Sequence, residues 1–289
     1  MAWQAALANA GAVDAGLPKT PAPGRMRPVP HSPPRQKLPR PEPDWALFLD
    51  IDGTLVDFAA TPDAAVVDAA LLRTLDRLSR AFGGALALIS GRQLAAIDRL
   101  LAPLVLPAAG LHGVERRGAD EKMRRKPVPD VVLHALSLRL QEFAARDPGL
   151  LVENKQGGLC LHYRGAPGLA DAARDFVANL LAGRTDLILL EGKMLVEIKS
   201  VVADKGSAIA EFMAEPPFAG RRPVFLGDDT TDEDGFAAVN AMNGFSICVG
   251  LSPRTGADWR IPRPALVRAW LAALPGAIAA RRSATQRRA

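Results

Sequence analysis

Two carboxylates stand two residues apart in Asp50-Ile51-Asp52-Gly53-Thr54, directly after the apolar run 46–49. In an extended segment, residues i and i+2 project to the same side, so Asp50 and Asp52 face one mouth. One carboxylate there can attack phosphorus and bind a cation. Its neighbour can protonate the leaving oxygen and later deprotonate a water. Gly53 allows a tight departure from the strand, and Thr54 can offer its hydroxyl and amide to phosphate oxygens. A solvated acidic turn would have the same composition. Asp228 and Asp229 follow a second apolar run, 223–226. Acids gathered opposite Asp50 repel it unless a cation sits between them, and an oxygen-only donor set favours Mg2+. Asp228 is the expected direct ligand. Asp232 is expected to hold a metal-bound water or to orient a lysine, with Asp229 beside it. Asp229, Glu233 and Asp234 suit the acidic first turn of a helix equally well.

Two further clusters carry chemistry. Ser90-Gly91-Arg92 lies between an apolar run and a helix, where a hydroxyl and backbone amides make an anion site. Ser90 would serve equally as a helix N-cap. Lys205-Gly206 opens a helix expected over 205–214, and a lysine there can neutralise both phosphate and nucleophile.

These residues need elements to hold them. Short apolar runs at 46–49, 85–89, 223–226 and 245–249, with a weaker one at 104–106, alternate with helical patterns. Helices are expected over 68–82 and 93–101. Continuous apolar runs between amphipathic helices predict an α/β fold, a Rossmann-like parallel sheet covered on both faces. In such sheets ligands bind beyond the carboxyl ends of the strands. Asp50, Ser90 and Asp228 all follow strands at that end. The stretch from 114 differs. It predicts helices near 130–146 and 168–182 and strands at 150–153 and 158–163. A hairpin, 187–190 with 194–198, closes through Glu191-Gly192-Lys193. This reads as an α+β cap inserted into the core. The expected organisation is a disordered proline-rich leader over 1–43, a core over 44–113 and 199–280, a cap over 114–198 and a basic tail over 281–289.

Composition excludes other classes. At 289 residues and 48% hydrophobic, the chain can bury a sizeable core. The net charge of +5 is concentrated in the leader and the tail. No element carries a basic face interleaved with aromatics, so no nucleic-acid partner is expected. Cys160 and Cys248 fit no zinc spacing and read as buried thiols of a reducing compartment. Neither a signal peptide nor an 18-residue apolar span is present, so no membrane partner is expected. A cytoplasmic enzyme, expected to be monomeric, follows.

The four clusters, in this order from Trp45 to about Val249, resemble the haloacid dehalogenase superfamily of phosphatases. The resemblance implies an aspartyl-phosphate on Asp50, Asp52 as acid/base, and Ser90 and Lys205 on the phosphoryl group. It implies Mg2+ on Asp50, the Asp52 carbonyl and Asp228. Narrower strings are similar to the trehalose-6-phosphate phosphatase family: Gly110-Leu111-His112-Gly113-Val114-Glu115, Val152-Glu153-Asn154-Lys155, His162-Tyr163-Arg164, Glu191-Gly192-Lys193-Met194 with Glu197, and the acidic run 227–234. That similarity implies substrate recognition by Lys155, His162, Arg164, Glu191, Lys193 and Glu197, with His112 and Arg92 near the hinge or phosphate. Charged groups suit the hydroxyls of a sugar. A phosphatase of another sugar phosphate, such as sucrose or mannosylglycerate phosphate, stays open. So do a phospho-acceptor regulatory module and an interaction protein driven by its basic ends.

Overall fold

The computed structural model describes residues 35, 37–57, 65–154, 157–192, 194–252 and 254–286, all within one compact unit that begins at Ser32. Most of the expected leader, together with Lys155 and Lys193, lies outside the described residues.

The core starts with β1 (Trp45–Leu49), whose five residues are all buried. α1 (Ala69–Ala81) follows, capped by Asp68, which accepts from the Leu71 amide at 2.7 Å. Its Leu71, Leu75 and Leu78 recur at helical spacing and are the residues it buries. Next come β2 (Leu86–Ile89), α2 (Leu94–Leu101) and β3 (Ala108–Gly110). The third strand was expected at 104–106. Pro103 and Pro107 explain the shift. Proline has no amide to donate, and pairing with β2 begins at the Pro107 carbonyl, which accepts from Leu88 at 3.0 Å.

β4 (Glu115–Arg117) and β5 (Met123–Arg125) extend the same sheet in antiparallel fashion. The sequence pattern predicts neither, because Glu-Arg-Arg and Met-Arg-Arg carry no apolar run. Arg116 is nonetheless buried, and its guanidinium meets Glu211 at 3.1 Å and Glu215 at 2.8 Å. These strands fall inside the span 114–198 that the sequence analysis places in the cap, yet they pair with the large sheet.

The smaller sheet holds β6 (Leu151–Asn154), β7 (Gly158–His162), β8 (Leu187–Gly192) and β9 (Leu195–Ser200), in the order β6-β7-β9-β8 and wholly antiparallel. α3 (Asp130–Ala144) and α4 (Ala170–Leu180) cover one face, burying Leu159, Leu161, Val196 and Ile198 in a core of their own. The opposite face carries Glu153, Cys160 and Glu197 side by side, since Cys160 pairs with Glu153 on one flank and Glu197 on the other.

The chain then returns through α5 (Lys205–Met213), β10 (Arg222–Gly227), α6 (Glu233–Ala241), β11 (Phe245–Val249), β12 (Trp259–Ile261) and α7 (Pro264–Gln286). The eight-stranded sheet has the order β12-β11-β10-β1-β2-β3-β4-β5, parallel from β12 to β3. α7 carries helix through residues 281–286, the first part of the expected tail, and Arg281 meets Glu42 at 2.8 Å. No helix among the described residues is long and apolar enough to cross a membrane.

Register explains how the fold builds a site. Leu49 stands opposite Leu226 on one side and Leu88 on the other. The residues that follow these strands therefore emerge together at one edge. One glycine is essential to the spacing. A Cβ on Gly206 would collide with the backbone oxygen of Asp234 in α6. Gly206→Ala must push α5 and α6 apart and is expected to destabilise the protein by about 1–3 kcal/mol. Because Lys205 moves with α5, turnover should fall with it. A thermal melt and an activity assay check this, and an unchanged melting temperature would mean that the helices are not in close contact here.

Candidate active site

Asp50 is the first residue after β1, and its amide donates to the Leu226 carbonyl at 2.9 Å. That bond ties the tip of β1 to the tip of β10. The Asp50 side chain is buried, and its Oδ1 accepts from Lys205 Nζ at 2.7 Å. Lys205 Nζ also donates to Asp232 Oδ1 at 2.6 Å. The other oxygen of Asp232 accepts the amides of Asp228 and Asp229, each at 2.9 Å. Asp232 thus fastens the first lysine of α5 to the loop after β10. Asp232 makes the lysine contact that one of its two expected arrangements requires. Lys205 is in place because Asp204 caps α5, accepting from the Ser207 amide at 2.6 Å.

Asp50, Asp228 and Asp232 offer carboxylate oxygens within 4.8 Å of one another. Burial pushes the Asp50 carboxyl well up; Lys205 opposes this, and Asp232 and Asp228 add to the rise. Burial also disfavours the Lys205 charge, but Asp232 and Asp50 more than offset it and hold the ammonium protonated. Asp50 and Asp232 both bond the Lys205 ammonium, and the Asp228 carboxylate stands within 4.8 Å of them, so negative charge gathers here. An oxygen-only set with that charge fits a hard divalent cation. A cavity of about 400 Å³ opens beside Asp228, lined also by Gly53, Thr230 and Arg254.

Asp52 sits apart from this cluster. Arg92 Nε and Nη2 donate to its two oxygens at 2.7 and 2.6 Å, a bidentate pair. Ser90 is buried, and its Oγ accepts from the Arg92 amide at 3.2 Å. Gln93 rather than Ser90 stands at the N-cap of α2 and makes no side-chain bond there. Glu115 of β4 accepts the Leu94 amide instead. Thr54 is fully buried, and its Oγ1 has no hydrogen-bond partner among the described residues. Asp229 caps the short turn 230–232, accepting from the Thr230 amide at 2.8 Å. Glu233 accepts the Gly256 amide at 2.7 Å.

The smaller sheet reaches the core at His112. This residue has φ +55° and lies 3.4 Å through Nε2 from Glu197 Oε1. Gly91 makes room for the ring, which a Cβ there would strike. Burial lowers the His112 pKa, against the pull of Glu197, and keeps the ring neutral near pH 7. The polar face of the smaller sheet therefore looks toward the strand-tip site. His162 lies on that face, 2.9 Å from Glu153. Arg164 is exposed just beyond β7.

Glu191 and Glu197, both expected at the substrate, do not share a face of the sheet. Glu191 stands opposite Val196 and meets Arg174 of α4 at 3.0 Å, on the helix-covered face. Glu197 stands opposite Leu190, on the other face. The two are six residues apart, but the turn between β8 and β9 sets a register that puts them on opposite sides.

Lys199 was not anticipated. It is buried two residues beyond Glu197 on the same face. Burial lowers its pKa while Asp204, Asp234 and Glu197 oppose that shift. Its signal was the alternation of Leu195–Ser200, which puts Glu197 and Lys199 on the face that also holds Cys160.

The family model for trehalose-phosphatase matches residues 48–260. The chain belongs to the trehalose-phosphatase family. It is 41% identical over 249 residues to the trehalose-6-phosphate phosphatase of Escherichia coli (strain K12), covering 86% of this chain and 93% of that one. It is 43% identical over 233 residues to a probable trehalose-phosphate phosphatase of Sinorhizobium fredii, covering 80% and 88%. Among solved structures it resembles a trehalose-6-phosphate phosphatase related protein at 26% identity and TM-score 0.66, covering 80% of this chain and 96% of that one. The C-terminal domain of the C. albicans trehalose-6-phosphate phosphatase shares the fold, with TM-score 0.72 and coverage of 81% and 93%. Membership in this family makes the chain a phosphatase of the haloacid dehalogenase fold.

Proposed function

We propose that this trehalose-phosphatase hydrolyses trehalose 6-phosphate to trehalose and phosphate through an aspartyl-phosphate on Asp50. The observation that carries this reading is the place of Asp50, buried at the tip of β1 between Lys205 and Asp228, in a chain whose family match spans residues 48–260.

Asp50 attacks phosphorus, and the bond to the sugar oxygen breaks. Asp52 gives that oxygen a proton. Asp52 then takes a proton from water, which attacks phosphorus and returns Asp50 to its carboxylate. Dividing one difficult displacement into two easier ones is the gain. Lys205 screens the negative charge throughout, and Thr54 and Ser90 offer hydroxyls to the phosphoryl oxygens. Arg92 grips both oxygens of Asp52, and an arriving phosphate competes for that guanidinium. Asp50, Asp228 and the Asp52 carbonyl would hold Mg2+, which when bound neutralises phosphate charge and polarises the phosphoryl group. His162, Arg164, Glu197 and His112 are assigned to the sugar, as are Lys155 and Lys193, which lie outside the described residues.

Phosphate release from trehalose 6-phosphate, sucrose 6-phosphate, mannosylglycerate phosphate and glucose 6-phosphate tests the substrate. A site that pairs charged groups with sugar hydroxyls rejects analogues that leave those groups unpaired. The expected preference for trehalose 6-phosphate is about 100-fold or more in kcat/KM. Equal or better turnover of any other sugar phosphate would overturn it.

A further inference from the structure

The smaller sheet carries a set of donors that the phosphatase reaction does not use together. Glu153, Cys160 and His162 place a carboxylate oxygen, a thiol sulfur and a ring nitrogen within 4.8 Å of one another. The pairing explains why. Glu153 of β6 is the direct partner of Cys160 in β7, and His162 follows Cys160 by two residues, so all three project from one face. Cys160 forms the buried floor, while Glu153 and His162 stand at the partly exposed rim. His162 Nε2 and Glu153 Oε2 already meet at 2.9 Å.

We propose that Glu153, Cys160 and His162 form a second metal site, selective for a borderline-soft cation such as Zn2+. The donor types decide the class. Thiolate and imidazole with one carboxylate suit Zn2+, whereas the oxygen-only cluster at Asp50 suits a hard ion such as Mg2+. Donors of a tetrahedral Zn2+ site stand about 3.3–3.8 Å apart, a span that rotation of Glu153 and His162 toward Cys160 reaches. The cation takes the place between His162 and Glu153, and the Cys160 thiol releases its proton to solvent. Three protein ligands leave one position open, and that position faces the strand-tip site, since Glu197 flanks Cys160 and reaches His112. Filling the site withdraws His162 from the sugar. Zn2+ therefore inhibits by raising KM for the substrate. That consequence rests on the sugar-phosphate reading; the binding itself does not.

The test keeps the two apart. With Mg2+ in excess, the full chain is titrated with Co2+ as an optical probe and with Zn2+ in competition. One equivalent of Co2+ should produce a sulfur-to-cobalt charge-transfer band that Zn2+ abolishes. Loss of even an outer partner of a metal ligand costs roughly 10–100-fold in affinity, so Cys160→Ala should weaken binding by at least about tenfold. Its turnover with Mg2+ alone should remain within about twofold of the unmodified chain, because no step assigns Cys160 a role. Cys248 lies beside Asp228 in the core cavity, so Cys248→Ala controls for a thiolate ligand at the other site and should keep the band. The proposal fails if the band is absent in the unmodified chain, if Cys160→Ala binds Co2+ as tightly, or if Cys248→Ala is the variant that loses it.

Discussion

Asp50→Asn is expected to lower kcat by about 10⁴-fold or more, because removing a covalent nucleophile removes the pathway itself. That factor corresponds to about 5.5 kcal/mol of barrier. The substitution keeps the size of the side chain and removes one carboxylate from a buried group that also holds Asp228 and Asp232. Lys205 retains Asp232 at 2.6 Å, so its ammonium stays paired. The variant should fold, with a melting temperature within a few degrees of the unmodified chain. Loss of turnover in a folded protein is then a statement about chemistry. Asp52→Asn makes a useful contrast. It leaves the nucleophile intact but removes the group that protonates the leaving oxygen and later activates water, so both half-reactions should slow and kcat should fall by about 100-fold or more in a folded protein. If Asp50→Asn turns over within about tenfold of the unmodified chain, the nucleophile lies elsewhere.

Chelation should produce the second large effect. A divalent ion supplies several kcal/mol of charge stabilisation in phosphoryl transfer, so EDTA should cut turnover by about 100-fold or more, and added Mg2+ should restore it. The cause lies in the charges of the site. Three carboxylate groups converge within 4.8 Å, and Lys205 bonds two of them. Without the ion they repel, and the incoming phosphate adds further negative charge. The same imbalance predicts a stability effect. An ion that binds only the folded chain raises the melting temperature by mass action, so Mg2+ should shift the melt upward. Asp228→Asn should weaken that shift and raise the Mg2+ concentration needed for half-maximal activity. Full activity after exhaustive chelation would remove the divalent ion from the reaction.

The sequence alone determined the parallel core and the residues at its strand tips. Apolar runs long enough for strands but too short for helices, each ending in Asp50, Ser90 or Asp228, leave few alternatives for a sheet covered on both faces. The spacing of Asp50 and Asp52 was legible for the same local reason. The partners that tell them apart were not. One faces Lys205 and the other Arg92, and those partners come from 155 and 40 residues away along the chain.

β4 and β5 were invisible because their arginines read as surface residues. Arg116 is buried only because Glu211 and Glu215 of the returning chain neutralise it. Lys199 was missed for the same reason, since its acidic neighbours Asp204 and Asp234 come from the loop before α5 and from α6. The faces of Glu191 and Glu197 likewise depended on the register of β8 with β9. Period-two patterning shows that two faces exist, but a one-residue slip exchanges them, and only helices α3 and α4 settling on the apolar side decide which face meets the core. Local sequence specified which residues could do chemistry. Burial and distant countercharges decided which of them do it together.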